Sequence, residues 1–173
     1  MGLLRFSYRS EILSLHTNIT VTLPSEELTY YPLTDIEEGV AARRKWEYRD
    51  GMKFQTVYLL HGGGDDDTCV VRKSNIERYA EENCVMTVTA QANDSFFMDT
   101  QYGYKYFTFL TEELPKVIQT MFPSSPKRED NFVAGVAMGG NGSLALGLKR
   151  PDLYAACVDL SGGIGCSVDT DAF

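Results

Sequence analysis

The chain has 173 residues, 43% hydrophobic and 23% charged, with a formal net charge of -8 and a pI of about 4.7. That length suits one domain with a sizeable core rather than two, and the acidic balance works against nucleic acid, whose phosphates it would repel. No apolar run reaches membrane-spanning length, and Arg5, Arg9 and Glu11 leave no room for an apolar leader, so the expectation is a soluble protein, cytoplasmic or a mature secreted form without its leader.

Leu3 to Leu13 and His16 to Leu23 have strand character. In the second, Ile19, Val21 and Leu23 alternate with Asn18, Thr20 and Thr22, which predicts a half-buried strand ended by Pro24. Residues 25–51 are polar and acidic with scattered aromatics, and predict a surface excursion between strands. The short basic cluster Arg43-Arg44-Lys45 lies inside it and is read as a solvated face.

Phe54 to Leu60 is a continuous apolar run, as expected of a central strand covered on both faces. It leads into His61-Gly62-Gly63-Gly64 and then Asp65-Asp66-Asp67, acids expected near a helix start, where they complement the dipole. Ser74 to Glu82 reads as helix, Cys84 to Ala90 as a buried strand and Gln91 to Thr100 as a loop. Tyr104 to Met121 has the spacing of an amphipathic helix with a kink at Pro115. Phe132 to Val136 predicts a strand, Gly139 to Lys149 a helix, and Ala155 to Leu160 one further strand before Ser161-Gly162-Gly163.

Strand and helix alternate from Phe54 onward, which predicts an α/β fold. Its sheet would be mainly parallel, with helices on both faces and an antiparallel pair at the N-terminal edge. Nothing marks an internal boundary, so residues 1–173 read as one domain. Cys69, Cys84, Cys157 and Cys166 form no C-x-x-C pair and are read as reduced thiols.

The chemistry is concentrated in two glycine-rich turns, each following a central strand. In open parallel sheets the carboxyl ends of the strands line one crevice, so both turns are expected to face it. Gly135-Val136-Ala137-Met138-Gly139 has the frame of a Gly-x-Ser-x-Gly nucleophile elbow, with Ala137 in the nucleophile's place. Acyl transfer needs backbone N–H groups aimed at a developing oxyanion. By that geometry the donors would be Gly63 and Met138. Taken alone, His61-Gly62-Gly63-Gly64 is equally a tight loop or part of a phosphate cradle, although no phosphate-loop motif accompanies it. Gly62 and Gly64, which flank the candidate donor, are read as substrate-binding residues. Phe96 and Phe97 are read either as stacking residues for a sugar or phenolic acyl group, or as core. No cofactor or metal ligand set stands out.

Four segments carry a resemblance: Val57-Tyr-Leu-Leu-His-Gly-Gly, Met98-Asp-Thr-Gln-Tyr-Gly-Tyr with Glu112-Glu113-Leu114-Pro115, Ala134-Gly-Val-Ala-Met-Gly-Gly, and Leu160-Ser-Gly-Gly. Together they resemble the esterase branch of the α/β hydrolases. That branch holds tributyrin esterases, S-formylglutathione hydrolases, and the feruloyl and acetylxylan esterases of carbohydrate esterase family 1. The resemblance implies the α/β-hydrolase fold, hydrolysis of a small ester, and a family serine at the position of Ala137 with oxyanion donors at Gly63 and Met138.

Two departures follow. Ala137 has no nucleophilic atom. The family's triad acid and histidine follow the elbow, whereas the two histidines here, His16 and His61, precede it and read as structural. Asp159, Asp169 and Asp171 are not assigned the acid role.

These departures leave three explanations. The chain is an inactive, nucleophile-to-alanine N-terminal part of a serine carboxylesterase, or a natural pseudoenzyme with a binding cleft, or a scaffold for protein contacts. On the first, the C-terminal portion of the domain is missing, and the exposed sheet edge is expected to be covered by that segment as a separate chain or by an oligomer partner. The expected substrate is a short acyl, acetyl or feruloyl ester of a carbohydrate, with an S-formylglutathione-like thioester as the alternative.

Overall fold

A computed structural model describes residues 1–25 and 49–163. The expected excursion over 25–51 therefore lies mostly outside the described residues, as do Arg43-Arg44-Lys45, Cys166, Asp169 and Asp171.

Six strands form one sheet in the order β1-β2-β4-β3-β5-β6. They are β1 (Gly2–Arg9), β2 (His16–Leu23), β3 (Gln55–Leu60), β4 (Val85–Ala90), β5 (Asn131–Val136) and β6 (Ala156–Leu160). The β1–β2 and β2–β4 pairs are antiparallel, while β4, β3, β5 and β6 run parallel. This is the mainly parallel sheet with an N-terminal antiparallel edge that the alternation predicted.

The helices divide between the two faces. On one face lie the main core residues Ile19, Val21, Tyr58, Met86, Val88 and Val133. They are packed by α3 (Tyr106–Thr108), α4 (Leu114–Met121) and α5 (Met138–Lys149). Tyr58 and Tyr154 meet edge to face at 5.9 Å there, and the Tyr154 hydroxyl reaches Leu110 O. On the other face α1 (Cys69–Lys73) and α2 (Ile76–Asn83) lie beside β2 and β4.

Strand β2 is buried on both sides rather than half-buried. Thr20 and Thr22 are as enclosed as Ile19 and Val21, because β2 is internal and its threonine side faces a polar layer. There the Thr20 hydroxyl donates to Asp67 at 2.7 Å, and the Thr22 and Thr87 hydroxyls meet at 2.6 Å. Each of these threonine hydroxyls thus has the partner that burial demands. The alternation had marked the two faces correctly but misassigned one of them to solvent.

Strand β3 is central but not evenly covered. Thr56, Tyr58 and Leu60 are buried, while Val57 and Leu59 are half-buried. Their face continues through Phe132, Ala134 and Val136 of β5 to Ala156, Val158 and Leu160 of β6 by the parallel register. Val136, Val158 and Leu160 are 46%, 47% and 52% exposed, a contiguous apolar strip with no helix among the described residues above it.

Two other expectations need correction. The helix expected over Tyr104 to Met121 starts at Tyr106 and is not continuously α-helical as far as Pro115. It is interrupted before it by a π-helical turn, Phe109–Glu113, and Pro115 sits in the first turn of α4. Proline has no N–H and its ring crowds the carbonyl four residues back, so the preceding turn widens: Leu114 N–H bonds Phe109 O, five back. The widened turn aims Glu113 at the β1–β2 connection, where its carboxylate accepts from Ser10 Oγ and Ile12 N–H, each at 2.9 Å.

The acids at 65–67 are not a row of helix-dipole partners either. Only Asp66 serves a helix start, accepting the Thr68 hydroxyl and amide. These bonds hold its carboxyl below the ordinary carboxylate range. Asp65 pairs with Lys73, and fully buried Asp67 is gripped by Arg5 at 2.7 and 2.8 Å.

Candidate active site

The two glycine-rich turns do lie together at the carboxyl ends of neighbouring strands β3 and β5. The turn between β5 and α5 is unusually tight. A Cβ on Gly135 would fall 1.9 Å from Gly139 O, and one on Gly139 would fall 2.1 Å from Leu60 O, so strand, helix and neighbouring strand touch through bare backbone. Farther along α5, a Cβ on Gly142 would meet the Phe97 ring at 2.6 Å. Small residues are therefore dictated by contact, not by turn preference alone.

At the apex stands Ala137, with φ 52 and ψ -115. This is the conformation of the first central residue of a type II′ turn, a region that side chains with a Cβ rarely enter. Ala137 N–H donates to Leu160 O at 3.0 Å, tying the apex to the end of β6, and its carbonyl accepts from Gly140 N–H at 2.9 Å. Its methyl is exposed and faces the first turn: Gly62's Cβ position is 3.8 Å from Ala137 Cβ. Met138, the first residue of α5, is buried, and among the described residues nothing accepts its N–H, as expected at a helix start.

The other turn is held from beneath. His61 is fully buried and uses both ring nitrogens. Ala92 N–H donates to Nε2 at 3.1 Å, so Nε2 carries the lone pair; Nδ1 carries the hydrogen and donates it to Gly62 O at 2.8 Å. The ring also meets Phe97 edge to face at 5.3 Å. His61 is thus the structural imidazole expected of it, and His16 is exposed on β2. Gly63 and Gly64 are exposed, and Gly64 takes φ +70.

The aromatics divide. Phe97 is fully buried against His61 and Gly142, so it takes the core alternative and supports the turns from behind. Phe96 is 39% exposed beside it. Both are left-handed, at φ 53 and φ 59, which turns two successive large side chains to opposite fates. Asp159 lies against the first turn of α5, its Oδ1 accepting Gly162 N–H at 2.6 Å. Cys69 is no substitute nucleophile, since burial pushes its thiol up. Among the described residues, no cluster of metal-ligating side chains forms.

Sequence reasoning missed Asp94. It lies in the loop after β4, and its carboxylate accepts Gly64 N–H at 2.6 Å. Nothing in the sequence distinguishes it from other loop acids, because the pairing crosses 30 residues.

The sequence model of the Esterase family, described as "Putative esterase", matches residues 44–168, which hold both turns. The chain belongs to this family. Among curated proteins, an "Acetyl esterase" of Caldicellulosiruptor saccharolyticus is 26% identical over 165 residues, covering 95% of this chain and 57% of the relative. Among solved structures, the substrate-bound Staphylococcus aureus fluorophosphonate-binding serine hydrolase FphF is 30% identical. It superposes with a TM-score of 0.76 over 93% of this chain and 57% of its own. The S-formylglutathione hydrolase FrmB of Staphylococcus aureus is also 30% identical, with a TM-score of 0.73 over 94% of this chain and 57% of its own. The chain thus spans a little over half the length of these relatives.

Proposed function

We propose that this chain carries the elbow and oxyanion half of a serine carboxylesterase for short acyl, acetyl or feruloyl esters of carbohydrates, with alanine where the attacking serine belongs. The observation that carries the reading is the backbone of Ala137. A strained apex is retained, at φ 52 and ψ -115, locked by glycine contacts on both sides, although alanine gains no chemistry from it. Strain of this kind persists at sites where geometry serves a reaction.

In this reading a carbonyl oxygen settles between Gly63 N–H and Met138 N–H, the first from the turn after β3 and the second from the start of α5. Each donor stabilises the tetrahedral oxyanion by roughly 3 kcal/mol. A serine hydroxyl at 137 would form the bond to the acyl carbon and lose its proton to a base. His61 is not that base, since both its ring nitrogens are engaged inside the fold. The base and its orienting acid are assigned to the length that the relatives have beyond these 173 residues. With alanine at 137 no acyl-enzyme forms, so the chain as given is an inactive form that retains the anion-binding half of the site.

A second reading, a thioesterase acting on an S-formylglutathione-like substrate, is favoured by the 30% identity to FrmB. Ala137→Ser introduced into the full-length chain separates them. Hydrolysis of acetylated and feruloylated sugars above that of S-formylglutathione supports the first reading, and the reverse order supports the second. A variant that hydrolyses neither would leave a binding module and end the esterase reading.

A further inference from the structure

Three consecutive glycines give the turn after β3 almost no intrinsic stiffness, yet a hydrogen-bond donor is useful only if it is aimed before the charge develops. The fold supplies the stiffness from outside. The peptide joining Gly62 and Gly63 is fixed by its carbonyl, which accepts from His61 Nδ1 at 2.8 Å. A trans peptide points its N–H opposite to its C=O, so that bond sends Gly63 N–H away from the buried ring. The next peptide, joining Gly63 and Gly64, is fixed by its N–H, which donates to Asp94 Oδ1 at 2.6 Å. The same oxygen lies 3.5 Å from the Cβ position of Gly63, so the carboxylate also packs against the glycine it brackets.

We propose that Asp94 is a positioning residue: by holding the Gly63–Gly64 peptide it completes a two-point clamp that aims Gly63 N–H toward the space above Ala137. The inference rests on the oxyanion reading given under Proposed function. It adds that the loop after β4, and not the glycine turn itself, decides whether the donor pair is formed. Asp94 touches no reacting atom. A short bond from an amide to a carboxylate is the stronger kind, and Asp94 is exposed at the loop surface, where its removal opens no core cavity.

The test uses the protein as it is, with alanine at 137, and butyrate as an acyl-carboxylate probe. Amide NMR follows the Gly63 and Met138 signals during titration of the unmutated chain, Asp94→Ala and Asp94→Asn. Butyrate is expected to shift both signals in the unmutated chain. Asp94→Ala should weaken that response about tenfold, and Asp94→Asn, whose amide oxygen can still accept from Gly64, should restore most of it.

A purely structural role would lower the melting temperature of Asp94→Ala and leave the butyrate affinity unmoved, and that result overturns the inference alone. No response at Gly63 and Met138 in the unmutated chain overturns the oxyanion reading and the inference with it. Should Asp94→Ala fail to fold, hydrogen exchange of Gly64 N–H in the unmutated chain decides instead. Protection supports the clamp, and exchange at the rate of a free amide overturns it.

Discussion

Replacing Ala137 by glycine should make the protein more stable, contrary to the usual effect of glycine. The native φ 52 and ψ -115 lie in a region where a Cβ is strained by about 1–3 kcal/mol, and glycine relieves that strain. Against this, glycine adds about 0.5–1 kcal/mol of unfolded-state entropy. The exposed methyl contributes little burial, so the balance is a gain of about 0–2.5 kcal/mol. Urea unfolding followed by far-UV circular dichroism measures it, with equal slopes required for the comparison. Gly139→Ala is the control. Its Cβ would lie 2.1 Å from Leu60 O and 2.6 Å from His61 O, both immovable backbone, so it should lose about 3 kcal/mol or more. If Ala137→Gly is instead destabilised by about 1 kcal/mol or more, the apex is not strained and the reasoning from its geometry fails.

Two further outcomes follow from the packing. Arg5→Leu leaves Asp67 fully buried with the Thr20 hydroxyl as its remaining side-chain partner among the described residues, and should cost about 2–3 kcal/mol in the same assay, while Arg5→Leu with Asp67→Leu should recover part of the loss. The open strip formed by Val136, Val158 and Leu160 is the surface that we propose a C-terminal segment or partner covers. The chain alone should therefore bind a hydrophobic dye and self-associate, and Val158→Lys should reduce both in light scattering; a monodisperse, dye-silent unmutated chain would contradict this.

The mainly parallel sheet was legible because Phe54–Leu60, Cys84–Ala90 and Phe132–Val136 are short apolar runs punctuated by glycine or polar loops, whereas the order of its strands was not read from the sequence. What the sequence concealed was which polar residues are buried. Thr20 reads as solvent-facing, and only its approach to Asp67 across 47 residues makes it part of the interior. The π turn was hidden for a similar reason: Pro115 announces a disturbance but not on which side of it the helix yields.

At the candidate site, the tight turn through Gly135 and Gly139 with Ala137 at its apex was legible in the spacing, because small residues on both sides of one position mark such a crossing of strand and helix. Phe97 was not resolved, since stacking and core readings share one sequence pattern, and its burial depends on Gly142 leaving room for the ring. Asp94 was invisible, because its role is a single hydrogen bond to a distant backbone amide.

We propose that residue 137 occupies a nucleophile's place above an oxyanion-binding pair of amides. Full-length Ala137→Ser treated with p-nitrophenyl acetate tests it most directly, by release of p-nitrophenol and by mass spectrometry of the peptide holding residue 137. Turnover well above the alanine form and an acetyl adduct trapped on residue 137 are expected. A folded variant with no adduct and no rate above the alanine form would contradict it.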